Sequence, residues 1–475
     1  MKTRIIAVVL ALLAVAGFIA WYKLFRELPG EHFASDQEHF LYGSVGTESP
    51  DGVPYWIWLT LPRVFPDLLP GPGGYASLGV LSQEGHEMPI GYTKRTIGMD
   101  RVGINCGLCH TTTYRLKPGD RAVIVPTAPA HQLDPQSYLR FLFACARDSR
   151  FTGATIMHEI DKNVKLSWLD HQIYKYLLIP FTRRSLLKQQ RVHNNYGWMA
   201  DNPPWGTGRI DPFNPMKYRN LKQPVDGSIG NSDMPPLWNQ KQHQGYSYHW
   251  DGLNTSLDEV VISSAIGDGA PKKWVEADWK KPDNQSSLKR IRKFISEAQA
   301  PKFPYPVDAA LAAKGKALYD RECASCHAIG GAKTGKVEPV NNPDLRTDRH
   351  RIDMWTANSA KAYNEYTSGY GWKLTHFVKE EGYVNVPLEG IWLRGPYLHN
   401  GSVPTLADLL EAPENRPRTF RRGSDVVDPV KVGFVTQGSF FVDTNIPGNG
   451  NGGHLWGTRL GPDEKRAMIE YMKTL

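Results

Sequence analysis

Apolar residues along the chain fall into three kinds of pattern. The first is a single uninterrupted run, "IIAVVLALLAVAGFIAW" at residues 5–21, preceded by Lys2 and Arg4 and left through Trp21-Tyr22-Lys23 and Arg26. Its length approaches the ~17–25 residues that cross a bilayer, and an exit through Trp, Tyr and Lys suits a membrane–water interface. Residues 1–26 therefore read as an uncleaved N-terminal anchor helix. A cleaved signal peptide is the alternative, because Ala14-Val15-Ala16 has the A-x-A form, although it sits inside the run.

The second pattern recurs at helical spacing. "DPQSYLRFLFACAR" (134–147) predicts a helix with Asp134 as cap and Pro135 in its first turn. "DAALAAKGKALYDRE" (308–322) predicts another, with Leu311, Leu318 and Tyr319 on one face. "GPDEKRAMIEYMKTL" (461–475) predicts a closing helix with Pro462 at its start and Met468, Tyr471, Met472 and Leu475 as a core stripe. The third pattern has no period. The proline-rich "AQAPKFPYPVD" (298–308) reads as a linker, "NNYGWMADNPPWGTGRIDPFNP" (194–215) as an ordered insertion, and "PGNGNGGHLWGTRLG" (447–461) as a glycine loop around His454 and Trp456.

Composition narrows this picture. With 44 glycines and 35 prolines in 475 residues, modest helices joined by long irregular segments are expected rather than a regular sheet. The 41% hydrophobic and 11% aromatic content excludes a largely disordered chain. Mean hydropathy is −0.43, so the part beyond the first run reads as soluble and exported. A net charge of +8 comes without a basic helix or a basic–aromatic repeat, which argues against nucleic acid as a partner.

Candidate chemistry comes from the cysteines. Four of the five form two copies of C-x-x-C-H: Cys106, Cys109 and His110, then Cys323, Cys326 and His327. Two thiols a short turn apart can each add to a vinyl group of one haem, and the adjacent imidazole then reaches the iron. A zinc site of four thiolates does not need a histidine directly after each pair. The expectation is two covalent c-type haems, one in a domain at 27–300 and one in a cytochrome c domain at 305–475. The fifth cysteine, Cys145, reads as a buried apolar side chain.

Beyond these motifs, "GIWLRGPYLHNGSVPTLADLL" (390–410) and "YHWDGLNTSLDEVV" (248–261) resemble stretches of the bacterial dihaem c-type cytochrome peroxidase superfamily. "PIGYTKRTIGMDRVGINCGLCH" (89–110) and the C-terminal "GGHLWGTRLGPDEKRAMIEYMKTL" bring the pattern nearest to the rubber-oxygenase-like, polyisoprene-cleaving branch. The resemblance implies a mainly α fold of two cytochrome c-type haem domains. It implies a reactive N-terminal haem meeting dioxygen or hydrogen peroxide, an electron-relaying C-terminal haem, and Trp250 between them. It places His399 in the pocket or between the haems, and it implies a possible calcium ion between the domains.

The peroxidase pattern has a Gln ten residues after the bridging tryptophan and a Glu some ten later. Here the first position is Val260, and Asp268 is the acid in the following stretch. Val261, Ala265 and Ile266 are expected to make the distal side apolar, which favours dioxygen binding over peroxide cleavage. The relay-haem methionine of the peroxidases has no counterpart near Pro413. His454 is the candidate distal ligand instead, its glycines letting backbone lie against the macrocycle. Met354, His350 and His376 are further candidates in that half. His131, 21 residues after His110, is a candidate for the first haem but is expected in a solvent-facing loop. The expected partners are a small redox protein or quinone-linked donor, dioxygen or peroxide, and the inner membrane, with the protein on its periplasmic side. A dihaem electron-transfer cytochrome without catalysis is the rival reading.

Overall fold

Helices make up 42% of the computed structural model, which describes residues 2–49, 52–191 and 196–475. The first two residues of the 194–215 segment lie outside that set. The apolar run forms the helix Lys2–Leu24, and none of its span is buried in the protein. Immediately after it the chain is tied to the body: Glu27 bridges Ile97, and Leu28 N–H donates to the Thr96 carbonyl.

The main departure from the sequence reading is a hairpin, Tyr92–Ile97 with Met99–Ile104, joined by Val53–Pro54 into a three-stranded antiparallel sheet. It delivers the chain to the first C-x-x-C-H motif. The buried Asn105 side chain accepts from Gly107 N–H and donates to the Gly43 carbonyl, both at 2.9 Å, capping the short helix Cys106–Cys109. Pro135–Arg147 is helical as expected, with Asp134 accepting the Ser137 N–H at 2.8 Å and Cys145 buried on its inner side.

In the C-terminal half, Ala309–Glu322 crosses Pro462–Met472. Tyr319 is buried on the first helix as expected and Leu318 packs half-buried against the same core, while Ala312 and Gly315 complete the buried face and Leu311 lies outside that cluster. The small residues win because the two backbones nearly touch: a Cβ on Gly315 would lie 1.9 Å from the Ala467 carbonyl oxygen. Met468 and Met472 are core residues of this crossing.

One core runs across the two halves. Phe40, Leu41, Val261, Ile262 and Ile291 pack in the same cluster as Met354, Trp355, Tyr363 and Phe377. The proline-rich connection is docked as well. Trp392 donates its indole N–H to the Pro301 carbonyl at 2.8 Å, and the Tyr305 hydroxyl donates to the Leu116 carbonyl.

Candidate functional site

At the first motif, His110 Nδ1 lies 2.9 Å from the Pro235 carbonyl. That contact fixes the proton on Nδ1 and leaves the Nε2 lone pair free, the usual arrangement of a metal-bound imidazole. Burial pulls the ring down to about 4, so it is neutral at pH 7. It opens on a cavity of about 370 Å³ lined by both thiols, Trp250, Val260, Val261 and Asp268. Ala265 and Ile266, expected on the same wall, face the other way into the core. The helix Leu257–Asp268 presents Val260, Ser264 and Gly267 to the cavity instead. Asp268 makes no hydrogen bond or ion pair among the described residues, and burial raises its carboxyl to about 7.

The second motif repeats the arrangement, with His327 Nδ1 2.7 Å from the Val386 carbonyl. Opposite it stands His454, the ring centroids 6.2 Å apart. Two imidazoles held in line on opposite sides of one metal ion, with bonds of ~2.0–2.1 Å and each centroid about 1.1 Å behind its nitrogen, would sit about 6.3 Å apart. The pair thus has the spacing of two axial ligands of one iron. Burial holds both rings in the neutral form that can coordinate.

The loop carrying His454 is held by protein contacts rather than by slack. His454 has a left-handed backbone at φ 50°, and its N–H donates to the Leu345 carbonyl at 2.8 Å. Gly453 before it is also left-handed, and a Cβ there would meet that carbonyl at 2.0 Å. At this glycine the close approach is to the Leu345 backbone. The buried Arg416 donates to five carbonyls, those of Leu409, Glu411, Asn451, Gly453 and His454, at 2.7–3.1 Å. Asn400 and Ser402, from the Pro-Tyr-Leu-His-Asn-Gly segment, donate to Gly448 and Gly450 carbonyls. Trp456 meets His454 edge-on at 5.3 Å and packs in the same small cluster as Trp250 and Tyr383.

Trp250 belongs to the first motif's surroundings and also touches the C-terminal half. It lines the first cavity, its indole N–H donates to the Asp233 carbonyl at 2.7 Å, and its own carbonyl accepts the Val384 N–H. Behind it Asp251 is paired with Arg351 at 3.0 Å, both fully buried, so a residue of each half fixes the turn. His399 does not line this cavity. It stacks on Tyr383 at 4.1 Å, Nε2 is 3.0 Å from the tyrosine hydroxyl, and its carbonyl accepts the Asp233 N–H. It touches the same backbone that holds Trp250.

Among the remaining candidates, His131 is not in a solvent-facing loop. It is buried, bonded to Thr112 at 2.8 Å and packed on Phe434. His350 pairs with Asp348 and His376 with Glu259, while Met354 is core. Sequence reasoning passed over His249, whose backbone is left-handed at φ 65° and whose Nε2 is buried without a partner. It lines the His110 cavity. Its one available signal was its place directly before Trp250.

Free cysteine pairs beside partner-fixed histidines fit covalent haem attachment, and comparison with known proteins agrees. A family described as RoxA-like, cytochrome c-like matches residues 382–421, and the cytochrome c family matches residues 312–389. The uncharacterized protein y4iJ of Sinorhizobium fredii is 48% identical, over 79% of this chain and 77% of that protein. The chain belongs to its family. It is a c-type cytochrome family related to the rubber-oxygenase-like proteins. A second S. fredii protein, uncharacterized y4iM, is 28% identical over 47% of this chain and 54% of its own length. Covalently bound c-type haem and a haem-based redox function follow from these matches.

Proposed function

We propose that the protein is a dihaem oxidoreductase of the periplasmic face. Its N-terminal haem, on His110, would meet dioxygen or hydrogen peroxide, and its C-terminal haem, between His327 and His454, would relay electrons. The observation that carries this reading is the contrast between the two motifs: His327 has a second imidazole at ligand spacing, whereas no ring stands at that spacing from His110 among the described residues. A filled sixth position suits electron transfer, and an open one suits binding of a small oxidant.

When bound, haem supplies the redox-active iron. The chain supplies the rest. Pro235 and Val386 carbonyls orient the proximal imidazoles. Trp250, pinned by Asp233 and Val384, keeps an aromatic ring between the halves. Val260 and Val261 make that wall of the cavity apolar, and Asp268 is a carboxyl able to hold or release a proton near neutral pH.

Electron paramagnetic resonance of the oxidised holoprotein, repeated after partial reduction, tests the proposal. One bis-histidine low-spin signal and one five-coordinate signal are expected. Two low-spin signals that persist on reduction would sink it. That result would favour an electron carrier in which His249, whose Nε2 has no partner, takes the sixth position on the first iron. Turnover with peroxide and a reduced cytochrome, set against dioxygen and polyisoprene, then separates peroxidase from oxygenase.

A further inference from the structure

The chain from Trp168 to Arg191 is one continuous helical stretch with a π-turn at Tyr174–Leu178. Its inner side is conventional: Tyr174, Leu178, Ile179 and Leu186 are core. Its outer side is not. Trp168 is 77% exposed, Tyr176 67%, Leu177 46% and Phe181 62%. A helix apolar on both sides is ordinarily buried in protein or lies in lipid. No protein covers this one among the described residues.

Its position argues for lipid. Lys23, at the end of the N-terminal helix, is paired with Asp170 in the first turn of this stretch, the closest approach being 2.7 Å. The exit of the N-terminal helix is rigid too. A Cβ on Gly98 would lie 2.2 Å from the Leu24 carbonyl carbon, and Gly98 N–H donates to the Arg26 carbonyl. Trp21 and Phe25, 52% and 66% exposed, stand at that exit. A bilayer crossed by the N-terminal helix therefore has its near surface level with the 168–181 stretch. Exposed Lys165, Arg184 and Lys188 flank the apolar residues, and such residues suit anionic head groups.

We infer that residues 168–181 form a second membrane contact, an in-plane interfacial helix whose Trp168, Tyr176, Leu177 and Phe181 side chains enter the bilayer surface beside the anchor. The inference rests on the reading of residues 1–26 as a membrane anchor. Two contacts at fixed separation set the tilt of the whole body on the membrane, which a lone anchor does not.

The test uses the full-length holoprotein in vesicles of phosphatidylethanolamine and phosphatidylglycerol. A small fraction of the lipid carries a diazirine near the glycerol. After illumination, lipid adducts are mapped by mass spectrometry. Adducts are expected on 5–21 and on 168–181, but not around Val430, which is 76% exposed. The Trp168→Ser/Phe181→Ser variant should lose adducts on 168–181 severalfold and keep those on 5–21. Adducts confined to 5–21 in the wild type overturn the second contact and leave the anchor standing. Adducts on neither segment overturn both. Cross-links between two copies through 168–181, sought with a bifunctional amine reagent that reaches the flanking lysines, also overturn it by assigning the patch to a dimer.

Discussion

His454 is a non-glycine residue in left-handed backbone, a conformation kept only where the surroundings over-determine it. Here three Arg416 hydrogen bonds, to the Asn451, Gly453 and His454 carbonyls, supply that constraint, with the arginine itself anchored on Leu409 and Glu411. Replacing His454 with Ala should convert the C-terminal haem from low-spin to high-spin, seen as a new charge-transfer band in the visible spectrum. An unchanged spectrum would reject it as the ligand. Asp268 makes a second prediction. Its carboxyl holds a proton up to about pH 7 when folded, against 3.8 for an ordinary aspartate. Between those values the folded chain binds more protons than the unfolded one, so stability falls as pH rises. Relative to Asp268→Asn, the wild type should lose about 2 kcal/mol between about pH 4.5 and 7.5 by denaturant titration. That is less than the full shift, because the side chain meets solvent in the cavity. The cysteine motifs were legible because covalent chemistry dictates their spacing. Arg416 was not, because its acceptors are main-chain carbonyls, which leave no trace in residue type.

Capped helices were the most legible elements. Asp134 and Pro135 marked one start and Pro462 another, where the structure adds a Glu464 carboxylate accepting the Gly461 N–H at 2.8 Å. The hairpin 92–104 was not legible, since its inward positions are Thr93, Arg95 and Ile97. Arg95 is buried against Glu48 and Glu27, so a charge stands where alternation would show a hydrophobe. On the helix 309–322 the small Ala312 and Gly315 were missed for a related reason: contact there is set by the smallest side chain. Gly315→Val should cost about 3 kcal/mol in denaturant unfolding, because the added carbons meet backbone that cannot move aside. A loss below about 0.5 kcal/mol would show that the helices can separate without cost.

For the molecule as a whole, sequence suggested two units joined by a proline-rich linker. Packing adds a shared core, since Trp355 and Tyr363 from the second half lie among Phe40, Leu41 and Ile291 from the first. Such contacts have no local periodicity to announce them. The expected consequence is one cooperative calorimetric transition, with the haem absorbance changing in the same step. Trp355→Ala should lower stability by about 3–5 kcal/mol and broaden or split the transition. Two well-separated transitions in the wild type would show that the halves unfold independently.

The shared core also bears on the order of biogenesis. Cys106 packs against the cluster that Met354, Trp355 and Phe377 complete. A chain emerging from its N-terminus presents the first pair of thiols roughly 250 residues before that wall arrives. On the proposed reading, a haem joined to Cys106 and Cys109 would be attached on a half-built cradle, and arrival of the later segment would then close protein over it.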